Sequence, residues 1–215
     1  MKKTIAAVVC AAAAALSVQA HAEDAKVLRM ACESTYAPFV FFDSETGKLK
    51  GFEIDLLEYV AKEMGRKLEV TNMGFDAIIP SMLTGITDVG ASAFTITPER
   101  AKRVLFSKPY YISGLSILVR AEDKDKIKSV KDIENCTICA QIGTSGSMLA
   151  AKVPGAKVRN FNTINDAYLE LGNKGCKAVI TDRPVTAYFL AARPETAKTY
   201  YHLPTVLNSE SFGFP

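Results

Sequence analysis

The sequence predicts an α/β protein made of two similar lobes. Short apolar strand runs alternate with amphipathic helical segments along most of the chain, which is the pattern of layered α/β architecture. The alternation breaks at 121–128, a mixed-charge stretch with no apolar period that reads as a solvated linker or turn, and then restarts. An internal echo accompanies the restart. Asp76-Ala77 through Leu83-Thr84-Gly85 leads into a strand at 88–93, and Asp166-Ala167 through Leu171-Gly172 leads into a strand at 178–182.

The chain of 215 residues opens on a secretory leader. Lys2 and Lys3 form a basic start, residues 5–16 an uncharged apolar run, and Ala20-His21-Ala22 a small-x-small cleavage pattern, so the mature protein is expected to begin at Glu23. The run is shorter than the roughly 20 apolar residues of a spanning helix. Cys10 lies inside the run with Val9 before it, which disfavours a lipid-modification site.

The first strand is expected at 27–31. Gly51-Phe52 opens a helix to about Lys67, with Ile54, Leu57, Ala61 and Met64 on one buried stripe. A strand at 68–73, a short helix at 76–83 and strands at 88–93 and 117–120 complete a first lobe over 23–118. The second lobe, over 119–206, holds strands at 137–142, 157–161 and 178–181 and helices at 148–152, 163–171 and 185–192. The last begins behind Pro184. Residues 207–215 are expected to start a return to the first lobe.

Composition narrows the function. The 26 Lys and Arg nearly balance 23 Asp and Glu, and two of the lysines fall in the leader, so there is no basic field for a nucleic-acid partner. Outside the leader the chain keeps one histidine, His202, which argues against a metal site and leaves no expected cofactor. The cysteines there are Cys32, Cys136, Cys139 and Cys176, and export permits disulfides. Cys136-Thr-Ile-Cys139 has redox spacing, but on a strand positions three apart face opposite ways. Cys139 is therefore read as a small buried residue, and Cys136 as the candidate partner of Cys176, because each precedes a strand by one position.

Three clusters carry candidate chemistry. In Thr95-Ile-Thr-Pro-Glu-Arg100, Thr97 caps a helix with Pro98 in its first turn, and Arg100 offers a planar fork suited to a carboxylate. On local pattern an ordinary capped surface helix explains this stretch better. Gly143-Thr144-Ser145-Gly146-Ser147 can aim N–H groups and hydroxyls at an anion, and a plain turn explains it equally well. Asp182 ends a strand, where α/β sheets place ligands, or else it caps the next helix. There is no nucleophile triad and no His-Glu-x-x-His.

Taken in order, several segments resemble the polar-amino-acid-binding proteins of bacterial ABC importers, the family-3 solute-binding proteins. They are Glu33-Ser-Thr-Tyr36-Ala-Pro38-Phe39, Gly51-Phe52-Glu53-Ile54-Asp55-Leu56, Phe75-Asp-Ala-Ile78-Ile79-Pro80, Thr95 through Arg100, Phe106-Ser107-Lys108-Pro109-Tyr110-Tyr111 and Ala178-Val179-Ile180-Thr181-Asp182. Glutamine-binding and basic-amino-acid-binding members are the most similar. The resemblance implies a type II periplasmic-binding-protein-like fold: two hinged lobes joined by crossing strands, with the ligand in the cleft between them. It implies a monomer that captures a free amino acid in the periplasm and delivers it to an inner-membrane permease. It also implies that Arg100, helped by the Thr95 hydroxyl, holds the α-carboxylate and that Asp182 and a carbonyl near Ser92 and Ala93 take the α-ammonium. Tyr36 and Phe75 would sandwich the side chain, and Thr144 would complete the carboxylate site. Gln141 stands where relatives often carry lysine. Glu33 falls where relatives place an acid facing the ligand's side chain, which points to arginine, lysine, ornithine, histidine or glutamine; a Glu-x-Thr-Tyr pattern in cystine-binding relatives keeps cystine open. Family members continue for a few dozen residues past the match to 211–215. Two other readings stand beside this one: a dehydratase of the same fold acting on cyclic carboxylic acids, and the ligand-sensing domain of a receptor.

Overall fold

The computed structural model describes residues 26–215. The expected leader and its cleavage point lie outside the described residues. Strand β1 (Val27–Cys32) leads into a small antiparallel sheet of β2 (Thr35–Tyr36), β3 (Val40–Phe42) and β4 (Leu49–Lys50). Helix α1 (Phe52–Glu63) follows, then β5 (Lys67–Asn72), α2 (Phe75–Leu83), β6 (Val89–Gly90) and α3 (Pro98–Ala101). β5, β1 and β6 form a parallel three-stranded sheet in that order.

The second sheet uses β8 (Leu115–Arg120), β9 (Thr137–Gln141), β10 (Lys157–Phe161), β11 (Ala178–Asp182) and β12 (Tyr200–His202), in the order β10-β9-β11-β8-β12. Helices α4 (Ser145–Ala150), α5 (Ile164–Gly172) and α6 (Arg183–Ala192) connect and cover it. Every residue of β8 is buried, and all of it pairs within this sheet, so the expected boundary at 118 falls inside one strand. The chain crosses between the sheets twice, through β7 (Tyr111–Ser113) and β13 (Glu210–Phe212), which pair antiparallel. The final residues lie on the first lobe: Thr95 bridges Phe212, and Gly90 N–H donates to the Pro215 carbonyl at 3.1 Å.

Several boundaries differ from expectation for local physical reasons. α1 ends at Glu63, because Gly65 takes a left-handed φ of +66°; Met64 then leaves the buried stripe and is 51% exposed. The strand expected at 88–93 shrinks to two residues, because Ser92 and Ala93 turn to φ of +103° and +53°. α4 starts three residues early, because Thr144 caps it by accepting from Ser147 N–H. The stretch 121–128 is the turn rather than the linker of the two expected readings, mostly exposed but anchored where Asp123 accepts from Arg120 at 2.6 Å and Lys177 at 2.9 Å and where Ile127 is buried.

The disulfide joins Cys139 to Cys176, and the expected Cys136 pairing is wrong. Position 139 points to the face of β9 that α5 covers, where Cys176 and Val179 also pack. Cys136 faces the other way and stays free, as does buried Cys32. In the chain-entropy picture, a bridge across 37 residues stabilises by about 3–4 kcal/mol. A non-reducing peptide map is expected to link Cys139 with Cys176 and leave Cys136 alkylatable, and Cys139→Ala should lower the melting midpoint by roughly 6–16 °C at the usual 2–4 °C per kcal/mol. A Cys136–Cys176 peptide would contradict this arrangement.

Candidate functional site

Each lobe delivers its part of the site on the end of a regular element. In the first lobe Thr97 Oγ accepts from Arg100 N–H at 3.2 Å, so the short helix α3 caps as its sequence dictates and aims Arg100 inward. Arg100 is 6% exposed. It donates to the Thr95 carbonyl at 2.8 Å and, across the cleft, to the Gly143 carbonyl at 2.9 Å. It also lies 5.4 Å from the centroid of Phe75 and 5.1 Å from that of Phe94, two rings stacked on each other. In the second lobe Gly146 lets α4 rest directly on β11, since a Cβ there would stand 2.5 Å from the Ile180 carbonyl oxygen.

Asp182 ends β11 and is 3% exposed. It occupies the N-cap position of α6 without capping it. Its carboxylate instead accepts from the Tyr36 hydroxyl of the first lobe and from Ser113 Oγ at 3.2 Å on the crossing strand. Burial pushes its pKa up to about 7, with nearby Glu210 adding to the shift. Burial likewise lowers the Arg100 pKa from its usual value.

Eight of the ten expected residues line one small, tightly closed cavity: Tyr36, Phe75, Ser92, Ala93, Thr95, Arg100, Thr144 and Asp182. Ser145, a member of the 143–147 cluster but not one of the ten, completes the lining. Glu33 and Gln141 do not touch the cavity but meet each other across the lobes, with Gln141 Nε2 donating to Glu33 Oε2 at 3.0 Å. Thr35 donates twice more to Glu33, whose pKa burial raises. Gln141 Oε1 is buried with no hydrogen-bond partner among the described residues. Tyr36 lines the cavity and belongs to the buried cluster that holds Phe39, Ala93 and Leu118, while its hydroxyl serves Asp182 and Thr181. The Thr95 hydroxyl donates to Glu210 at 2.6 Å, so its one proton does not point at the cavity.

Two supporting acids escaped sequence reasoning. Glu53 is fully buried and accepts from the N–H groups of Ser92 and Ala93 at 2.6 and 2.9 Å, and from the Tyr110 hydroxyl. That carboxylate makes the left-handed turn at 92–93 tenable. Its only signal in the sequence was an acid in the first turn of a helix. Glu210 had no signal, since Thr95 and Ser145, its partners in the cleft, lie far off in sequence.

Among the described residues Arg100, Asp182 and Glu33 are in no ion pair. The cavity thus holds one buried cation and one buried anion, one from each lobe, with no group of opposite charge in contact. The family model for bacterial extracellular solute-binding proteins, family 3, matches residues 28–189.

The chain belongs to that family.

It is 33% identical over 173 residues to a probable histidine-binding protein of Campylobacter jejuni, a match covering 80% of this chain and 66% of that protein. The chain thus spans just under two thirds of the length of this curated relative. The arginine-bound form of a truncated arginine-binding protein from T. maritima superposes with a TM-score of 0.83 at 36% identity, covering 89% of this chain and 88% of the other. An ancestral amino-acid-binding protein described as a precursor of cyclohexadienyl dehydratase gives 0.80 at 37% identity, with coverage of 88% and 81%. These likenesses bear out the α/β fold of the type II periplasmic binding proteins.

The raised pKa of Asp182 has a definite pH signature. A carboxyl whose folded pKa lies above its unfolded value stabilises the fold most below the unfolded pKa, near 4, and loses that contribution as pH climbs to the folded value near 7. Between pH 4 and 7 the unliganded wild type should lose on the order of a few kcal/mol relative to Asp182→Asn, which cannot ionise. Melting midpoints of both proteins across that range check it; parallel curves would contradict the burial of an ionisable group here.

Proposed function

We propose that this chain is the substrate-binding component of an amino-acid ABC importer, and that its ligand is an amino acid with a cationic side chain. The observation that carries the reading is the pair of unpartnered buried charges, Arg100 and Asp182, facing one cavity from opposite lobes. A free amino acid is the complement of that pair. Its α-carboxylate meets the Arg100 fork, and its α-ammonium meets Asp182, replacing or sharing the Tyr36 hydroxyl. Each charged hydrogen bond contributes about 1.5–3 kcal/mol net. Because the anchors sit on different lobes, only the closed form makes all the contacts, and ligand shifts the population toward closure.

The side chain is read beyond the cavity wall, where a ligand long enough to reach Glu33 and Gln141 would share or replace their contact with each other. A desolvated carboxylate and an orphaned amide oxygen are both acceptors, and together they suit a group rich in N–H donors such as the guanidinium of arginine. Lysine, ornithine and histidine meet the same demand less fully. The relatives named for histidine and arginine fit this class. In this reading the leader is cleaved after Ala22, the mature monomer works in the periplasm, and an inner-membrane permease receives the ligand. The dehydratase reading uses Asp182 as a general acid and leaves the unpaired Arg100 to a carboxylate substrate; the binding reading accounts for both charges and for Glu33 as well.

Calorimetric titration with arginine and with citrulline, its uncharged near-isostere, tests the assignment. Wild type is expected to prefer arginine, and Glu33→Gln to weaken arginine by about 10- to 100-fold while changing citrulline less than about threefold. Equal weakening of both would remove Glu33 from the side-chain site.

A further inference from the structure

Glu210 is absent from the cavity wall and from the expected site, yet it controls two groups that line the wall. It stands on β13 opposite Ser113 of β7 and is 8% exposed. Its Oε2 accepts from Thr95 Oγ1 at 2.6 Å and from Ser145 Oγ at 2.8 Å, and its Oε1 accepts from Asn208 Nδ2 at 2.8 Å. Thr95 belongs to the first lobe and Ser145 opens α4 in the second, and their oxygens are 3.3 Å apart. Among the described residues no Lys, Arg or His forms an ion pair with Glu210.

A hydroxyl carries one proton and two lone pairs. With both protons committed to Glu210, the Thr95 and Ser145 oxygens turn lone pairs toward the cavity. We infer that Glu210 is a positioning residue for ligand polarity: it locks the Thr95 and Ser145 hydroxyls as acceptors, so the part of the cavity they share with Asp182 takes the ligand's ammonium and rejects its carboxylate. The two hydroxyls come from different lobes and the carboxylate from a crossing strand. The acceptor set is therefore assembled only when the lobes close. The inference rests on the amino-acid reading above and adds to it the group that fixes which way round the ligand binds. It also reverses the expected role of the Thr95 hydroxyl as a donor to the α-carboxylate.

The test compares arginine with 5-guanidinopentanoate, which is arginine without its α-amine, by calorimetry on wild type and Glu210→Gln. The amide keeps the size of the side chain but brings an N–H donor, which turns a hydroxyl proton toward the cavity. Glu210→Gln is expected to weaken arginine about tenfold or more and to leave 5-guanidinopentanoate within about twofold. Glu210→Asp, which keeps the acceptor, should recover part of the loss. In a Thr95→Val background Glu210→Gln should cause a clearly smaller loss for arginine, because one of the two oriented oxygens is gone. Equal weakening of both compounds, the mark of a merely structural role, overturns the proposal, and so does no change in either. If Glu210→Gln does not fold, Thr95→Val alone decides: a loss confined to arginine supports an acceptor there, and a loss shared by both compounds overturns it. Wild type that prefers arginine by a margin Glu210→Gln leaves intact removes this proposal alone. Wild type that binds neither compound removes the arginine reading with it.

Discussion

Burying a charge without a counter-charge is expensive, and the cleft of this protein does so on both of its walls. Among the described residues Arg100 is met by two backbone carbonyls and two aromatic faces, and Asp182 by two hydroxyls. Either charge alone would favour an open, wet cleft. The closed arrangement is held by neutral or singly charged hydrogen bonds across the lobes: Tyr36 to Asp182, Gln141 to Glu33, Arg100 to the Gly143 carbonyl and Thr95 with Ser145. A zwitterion would satisfy both walls together, and in the proposed reading closure is therefore a response to ligand.

The rest of each lobe keeps these charges in place. In the first, buried Glu53 takes two N–H groups of the 92–93 turn, so the backbone beside the cavity is pinned by a side chain from α1. In the second, Arg120 holds Asp123 and donates to the carbonyls of Leu171 and Cys176, while the Cys139–Cys176 bridge fastens the same loop to β9. Both devices stiffen the sheet whose strand end carries Asp182. The crossing strands are more than tethers, because β7 supplies Ser113 to Asp182 and β13 supplies Glu210 to Thr95 and Ser145.

Features written in local pattern were legible in the sequence. The Thr97-Pro98 cap, the buried stripe of Ile54, Leu57 and Ala61 and the strand ending at Asp182 all follow from residues within a turn or two of each other. Grouping Arg100, Thr144 and Asp182 into one site needed the resemblance, because local pattern explained each of them at least as well as a cap or a turn. What sequence reasoning missed is long-range. Glu53 acts 39 and 40 residues away, Glu210 acts 115 residues from Thr95, and the choice of Cys139 over Cys136 depends on which face of β9 the helix α5 covers. At 121–128 the turn was legible but not its anchor, because Lys177 meets Asp123 only once the second sheet has formed.

The central claim is that three fixed groups, Arg100, Asp182 and Glu33, read the carboxylate, the ammonium and the side chain of one amino acid. Three points of contact make recognition chiral, so the decisive measurement is the affinity of the purified chain for L-arginine against D-arginine. Inverting the α-carbon takes one charged contact out of reach, so the account predicts that the D form binds at least about tenfold more weakly. Equal affinity for the two forms would mean that the buried charges do not act together on one ligand, and would contradict the account.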